Sequence, residues 1–305
     1  MQNTAHLLLI QPVNFGFNAE TAVNNSFQKN IGGDIQQKAL QEFTGFVELL
    51  RKNKVDVTVV EDSLDPSTPD SIFPNNWISF HADGRIFLYP MFAVNRRMER
   101  KAAVLEAVQQ KFSVSEIVDL SRSEAEQLFL EGTGSMVLDR ENKIAYACLS
   151  PRTDEKILNE FCSMADYSPV TFRAADSTGM DIYHTNVMMC IADSYAVVCL
   201  NSIADETEKQ NLVSSLLITN KDIIDISLQQ LNHFAGNMLQ VKNADDELLL
   251  VMSTQAYGSL DDVQLEILEK HNRIIHSSLH TIETAGGGSA RCMMAEVFLH
   301  IKTGR

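Results

Sequence analysis

The chain reads as an α/β protein made from one supersecondary unit used five times around an axis: a five-bladed α/β propeller with pseudo-fivefold repeat. Three observations predict this. Hairpin-like pairs of apolar segments start at residues 77, 135, 187 and 238, and a fifth apolar segment starts at 293, a period of about 50 residues. A helical stretch and then a short strand follow each hairpin. The natural partner of the fifth segment is the N-terminal strand His6 to Ile10, and that pairing closes a ring and removes its sheet edges. Residues 1–305 are expected to form one such domain; the alternative is two unrelated α/β halves.

The elements follow in order. Ile35–Asn53 has helical periodicity and leads into the strand Val55–Val60. Trp77 to Phe80 and Arg85 to Tyr89 flank His81-Ala82-Asp83-Gly84, where Asp-Gly signals the turn. Helix Arg96–Lys111 and strand Glu116–Leu120 complete that unit. Ser135 to Leu138 pairs with Lys143 to Leu149, then comes helix Thr153–Ser163. Val187 to Ile191 pairs with Tyr195 to Leu200, then helix Ala204–Thr219. Met238 to Val241 pairs with Glu247 to Met252, then helix Ser259–Ile275. The last strand begins at Met293.

Composition bounds the function. With 45% hydrophobic and 21% charged residues the 305-residue chain is an ordinary globular protein. Its formal charge of −15 argues against nucleic-acid or anionic-membrane partners, which demand a basic face. No segment has the pattern of a signal peptide or the length of a membrane span. Five scattered cysteines (148, 162, 190, 199 and 292) suit a reducing, cytoplasmic setting. Self-association into a homo-oligomer stays open.

Residues just before each hairpin's first strand should face one end of the axis. That rim carries Asn75-Asn76, Glu131-Gly132-Thr133-Gly134, His184-Thr185-Asn186, Gly236-Asn237 and Cys292. A carboxylate, a histidine and a cysteine from three units therefore converge, the set that nucleophilic catalysis uses. Gly286-Gly287-Gly288 delivers Cys292 with Arg291 beside it, a setting in which a low-pKa thiolate is expected. Taken singly, Cys292 could be a packed thiol, His184 a core histidine and Glu131 a turn cap. Cys148, Cys190 and Cys199 fall in strand interiors and read as packing. His271, His276 and His280 lack a Cys or carboxylate to complete a ligand set, so neither metal nor cofactor is expected.

At these residues the chain resembles the guanidine-modifying (pentein) superfamily, which includes arginine deiminase, dimethylarginine dimethylaminohydrolase, agmatine deiminase and the amidinotransferases. Six motifs carry the resemblance, in order and nearly end to end. They are Pro69-Asp70-Ser71-Ile72-Phe73-Pro74-Asn75-Asn76, Arg96-Arg97-Met98-Glu99, Glu131-Gly132, Leu149-Ser150-Pro151-Arg152-Thr153, His184-Thr185-Asn186, and the Gly-rich Ala290-Arg291-Cys292-Met293. The resemblance implies Cys292 as nucleophile, His184 as acid/base and Glu131 as its orienting partner. It implies Arg96 and Arg152 as grips for a substrate carboxylate, with Arg97 a third candidate.

The departures are informative. Guanidine hydrolases keep carboxylates where this chain has Asn76 and Asn186, with Asn75 beside the first. Amides remove the charge that selects a guanidinium and add an NH2 donor. A neutral ureido group fits better, so a citrulline-type amino acid is the expected substrate, as in the citrulline-utilisation hydrolase branch. Turn chemistry is the structural alternative for these asparagines. An arginine deiminase-type or dimethylarginine-type activity, an amidinotransferase and a non-catalytic binding member remain rival readings.

Overall fold

The computed structural model describes residues 1–302. Its strands form five three-stranded sheets. The first strand of the chain, β1 (His6–Gln11), runs parallel to β2 (Asp56–Glu61) and antiparallel to the last strand, β15 (Ala295–Glu296). The other four sheets repeat one plan. They are β3 (Ile78–Phe80) with β4 (Arg85–Leu88) and β5 (Glu116–Asp119), then β6 (Val137–Asp139) with β7 (Ile144–Cys148) and β8 (Ser168–Phe172). Next come β9 (Met189–Ile191) with β10 (Tyr195–Val198) and β11 (Asp222–Asp225), and β12 (Leu239–Lys242) with β13 (Leu248–Ser253) and β14 (Arg273–Ser277). In each, an antiparallel hairpin receives a third strand parallel to its second, reached through a crossover helix.

Burial shows which edge of each sheet meets the axis. β3, β6, β9 and β15 are buried at every residue, whereas β5 and β11 are largely exposed. Inner strands of neighbouring blades touch, β15 against β3, β6 against β9 and β9 against β12. Closure places Leu7 opposite Glu296 and Leu8 opposite Ala295, the pairing expected from the sequence. The chain is thus a five-bladed α/β propeller.

Aspartates cap four of the five crossover helices. Asp34, Asp154, Asp205 and Asp261 each accept from a backbone N–H of the first turn, ahead of Ile35–Lys52, Glu155–Ala165, Glu206–Ile218 and Asp262–His271. Two expected helices differ. Arg96–Lys111 is split into a 3₁₀ turn, Asn95–Glu99, and an α-helix, Ala102–Lys111, because Arg96 and Glu99 turn inward to pair with each other. Ser259–Ile275 contains only Asp262–His271, since Asn272 is extended and Ile274–Ile275 join the ladder with β13.

The hairpins also begin later than the apolar pattern suggests. One helical turn precedes the inner strand in four blades: Pro74–Asn76, Gly132–Ser135, Thr185–Met188 and Ala290–Met293. Met293 therefore ends a turn, and the fifth strand is only Ala295–Glu296.

Candidate active site

The inserted turns hold the rim residues. A turn before an inner strand directs its side chains toward the axis, and its N-terminal flank supplies the residue that comes first. Glu131 and His184 are such flanks, and Cys292 lies within its turn. Gly287 ends the helix His280–Gly286 in the left-handed region (φ 66°), which allows the chain to reverse into Ser289 and the Cys292 turn.

Cys292 is buried, and its Sγ lies 3.2 Å from Asn237 Nδ2 and 3.6 Å from Asn186 Nδ2. Asn237 is itself fixed, donating to the Asn186 carbonyl at 2.8 Å and accepting from Arg291 N at 3.1 Å. Two amides from two other blades thus face the sulfur. The Arg291 guanidinium turns away, bonding the Met294 carbonyl and Glu296 at 2.8 and 2.9 Å. Burial pushes the Cys292 thiol up, against the hydrogen bonds from Ser289 and Asn237 and the Arg291 charge. The thiol therefore departs from the low-pKa expectation: desolvation outweighs the Arg291 charge, whose guanidinium points away.

His184 Nε2 lies 2.8 Å from Glu131 Oε2, and both side chains are buried. Nδ1 is left with no hydrogen-bond partner among the described residues, and His184 lines the cavity at Cys292. Burial pushes His184 down to about 4 despite Glu131, so the ring rests neutral. For Glu131, burial is outweighed by the Arg152 charge, the His184 hydrogen bond and the Arg96 charge, which hold the carboxyl well below its usual range. Its other oxygen accepts from Phe92 N at 3.0 Å.

The arginines separate. Arg152 is buried, 3.5 Å from Glu131, donating to the Thr21 carbonyl at 2.7 Å and to Asn24 Oδ1, with its guanidinium 4.9 Å from the Tyr183 ring centre. Arg96 is bidentate to Glu99 at 2.8 and 2.9 Å and donates to Asn76 Oδ1 at 2.8 Å. Both line the cavity. Arg97 does not: its Nε serves the Met91 carbonyl at 3.1 Å, and it lies 3.5 Å from Glu124. Asn75 is also outside the cavity, fully buried, with neither side-chain polar atom bonded. Asn76 Nδ2 is unbonded among the described residues and comes near His184 over Gly134.

Several lining residues carry no signal in the periodicity: Asn25, Phe73, Tyr183 and the glycines themselves. Asp70 lies behind that lining, accepting from Asn18 at 2.8 Å and Thr21 at 3.0 Å, with its second oxygen unbonded among the described residues. Asp70 and Phe73 stand in the Pro69–Asn76 motif, so only motif reading could have found them. The segment with Thr21, Asn24 and Asn25 closes over the site, Asn25 donating to the Gly287 carbonyl at 3.3 Å. The remaining cavity is about 10 Å³, room for about one water. Among the described residues no group of three His, Cys, Asp or Glu could hold a metal ion, and no helix is long and apolar enough to cross a membrane.

A thiol, an imidazole bonded to a carboxylate, amide donors and two arginines are groups that together could add sulfur to a planar carbon bonded to nitrogen. At the level of sequence alone, no curated protein matches the chain. Solved structures do. The N-terminal domain of ArgZ, an arginine dihydrolase from the ornithine–ammonia cycle in cyanobacteria, superposes with a TM-score of 0.75 at 17% identity over 96% of this chain and 97% of that domain, in a form covalently bound to a reaction intermediate. Unliganded AgrE gives 0.76 at 18% identity, over 98% of this chain and 40% of that one. A dimethylarginine dimethylaminohydrolase bound as an adduct to S-methyl-L-thiocitrulline gives 0.67 at 13% identity, over 96% and 99%. Residues 11–299 match the family described as N,N dimethylarginine dimethylhydrolase, eukaryotic, and the chain belongs to that family of pentein-fold hydrolases, which act on carbon–nitrogen bonds of guanidino compounds.

Proposed function

We infer that the chain hydrolyses the ureido group of a free amino acid, citrulline, through a covalent bond to Cys292. The observation that carries the reading is the charge of the cavity wall. Its lining includes the guanidinium groups of Arg96 and Arg152, whose carboxylate partners Glu99 and Glu131 lie behind the wall, and no carboxylate of its own; Asn76 lines it, and the amides of Asn186 and Asn237 face the sulfur. A guanidinium buried there would add a third cation beside Arg96 and Arg152 with no carboxylate in the lining to pair it, which is costly. A neutral ureido group would not, and Arg152 would receive the α-carboxylate once Asn24 and the Thr21 carbonyl withdraw.

The resting pair is a neutral thiol and a neutral imidazole. As Cys292 sulfur adds to the ureido carbon, its proton passes to His184 Nδ1 and the ureido oxygen becomes an oxyanion. Amide donors from Asn76 and Asn237 would stabilise that charge. The adduct collapses as His184 returns the proton to the departing nitrogen, leaving a carbamoyl thioester. Water, deprotonated by His184, attacks the thioester; the thiol departs and recovers its proton. Glu131 keeps Nε2 protonated and steadies the transient imidazolium. Ornithine leaves in the first half, and the second releases carbamic acid, which breaks down to ammonia and carbon dioxide.

A second reading has support of its own. A cationic guanidinium beside Sγ would draw the raised thiol pKa down, which a neutral ureido group cannot do. In that case arginine is taken first, as the name arginine dihydrolase denotes for ArgZ. Incubation with each amino acid, followed by mass spectrometry, separates the two. Ornithine from citrulline with arginine untouched supports the first reading. Rapid arginine consumption with citrulline accumulating unused refutes it.

A further inference from the structure

At the other end of the inner strands, the hairpin turns of three blades surround a second cavity, of about 730 Å³. No residue lines both it and the cavity at Cys292. Its walls combine cations with apolar surface. Arg140, on the turn after β6, has a side chain only 7% exposed and a guanidinium 4.0 Å from the Phe298 ring centre. Its carboxylate neighbour, Glu296, is 3.7 Å away and bonds Arg291 more closely, at 2.9 Å. The Lys143 ammonium lies 4.8 Å from the Tyr167 ring centre and donates to the Ala165 carbonyl at 3.3 Å. Lys242, at the end of β12, has no ion pair among the described residues.

The anionic groups nearby are engaged or exposed. Asp83 is bound to Arg85 by two hydrogen bonds of 2.6 and 2.9 Å, Asp139 lies buried 3.5 Å from Lys221, and Asp246 is exposed. Burial first, and then the Arg140 charge, push His81 on the cavity wall well below its usual range. In a chain of formal charge −15, three cations line one concave surface against two lining carboxylates, Asp83, which Arg85 engages, and Asp246, which is exposed, so the wall is net positive.

We propose that this cavity binds a small organic anion, a carboxylate or phosphate carried on a flat or apolar body, anchored by Arg140. A guanidinium presents two parallel N–H donors to either anion. Phe298 and Tyr167 hold the cations in place and, with Val297 and Leu299, give the body of the ligand an apolar surface.

The test is calorimetric titration of the full chain with two series of probes, aromatic carboxylates (benzoate, indole-3-acetate) and nucleoside monophosphates. One series binds, and which one binds identifies the anion. Arg140→Met weakens binding by tenfold or more. Because that change removes a buried charge, Lys143→Met and Lys242→Met provide the safer arms: each weakens binding several-fold and leaves Tm and turnover unchanged. Cys292→Ser binds the probe as the unmodified chain does. No heat from either series at about 10 mM overturns the proposal. So does binding that Lys143→Met and Lys242→Met both leave intact, or binding lost in Cys292→Ser.

Discussion

Gly134→Ala tests the site through a single methyl group. A Cβ built on Gly134 stands 2.3 Å from Asn76 Nδ2, 2.9 Å from His184 Nδ1 and 3.0 Å from His184 Cε1. Ordinary contact needs roughly 3.5 Å, so the amide must retreat by about 1 Å. Asn76 cannot simply swing away, because Arg96 holds its oxygen at 2.8 Å and is locked in turn by Glu99. The backbone at Gly134 lies outside the left-handed region, so the methyl, and not φ, is the perturbation. Overpacking of this kind costs about 1–3 kcal/mol of stability. A catalytic group misplaced by about 1 Å loses roughly 100-fold in rate, about 2.7 kcal/mol in the barrier. The assay pairs thermal unfolding with kcat/KM for ornithine release from citrulline. Gly258→Ala is the control: it meets nothing within 4 Å and should keep full activity. A folded Gly134→Ala enzyme with the kcat/KM of the unmodified chain would refute the assignment of Asn76 and His184 to the reaction.

Other expectations follow from the same geometry. Cys292→Ser should fold with unchanged Tm and lose nearly all turnover; activity near that of the unmodified enzyme removes sulfur from the mechanism. Arg152→Ala should raise KM for citrulline by about 10- to 100-fold, the loss of a charge-assisted hydrogen bond, while sparing a substrate without the α-carboxylate, and equal losses on both would assign it to supporting Glu131. His184 titrates near 6.5 when unfolded and about 4 when folded, so between those values the unfolded chain binds more protons. Its contribution, about 3 kcal/mol, is present above pH 6.5 and lost as pH falls to about 4. Urea unfolding across that range should show the slope, and His184→Asn should flatten it.

The ring was legible because its punctuation survives in the chain: Asp-Gly at 83–84, polar turns at 139–142 and 242–246, and an unpaired strand at each end of the repeat. The one-turn helices were not. Thr185–Met188 and Ala290–Met293 end in apolar residues continuous with the strands they precede, and four residues hold too little periodicity to separate a turn from a strand. Convergence of Glu131, His184 and Cys292 at equivalent repeat positions could be read without coordinates. The direction of an arginine could not. Arg96 and Arg97 are adjacent in sequence, yet one enters the cavity wall and the other binds the Met91 carbonyl, because successive residues of a 3₁₀ turn point about a third of a revolution apart. Arg291 misled for the same reason, its proximity to Cys292 being a property of the backbone alone.

The pairing of Leu7 and Leu8 with Glu296 and Ala295 has a temporal side. During synthesis, four complete blades can exist while β1 still presents an open edge, the feature that invites pairing with foreign strands. The contact that seals it spans almost the whole chain, and long-range contacts of this kind form slowly. The residues that seal the edge follow Cys292 by only a few positions. The thiol therefore reaches its amides on Asn186 and Asn237 at about the moment the edge disappears. A nascent or clipped chain lacking the last blade segment keeps an open edge, so on the proposed mechanism aggregation and loss of hydrolysis should rise together in a truncation series that crosses residues 292–295.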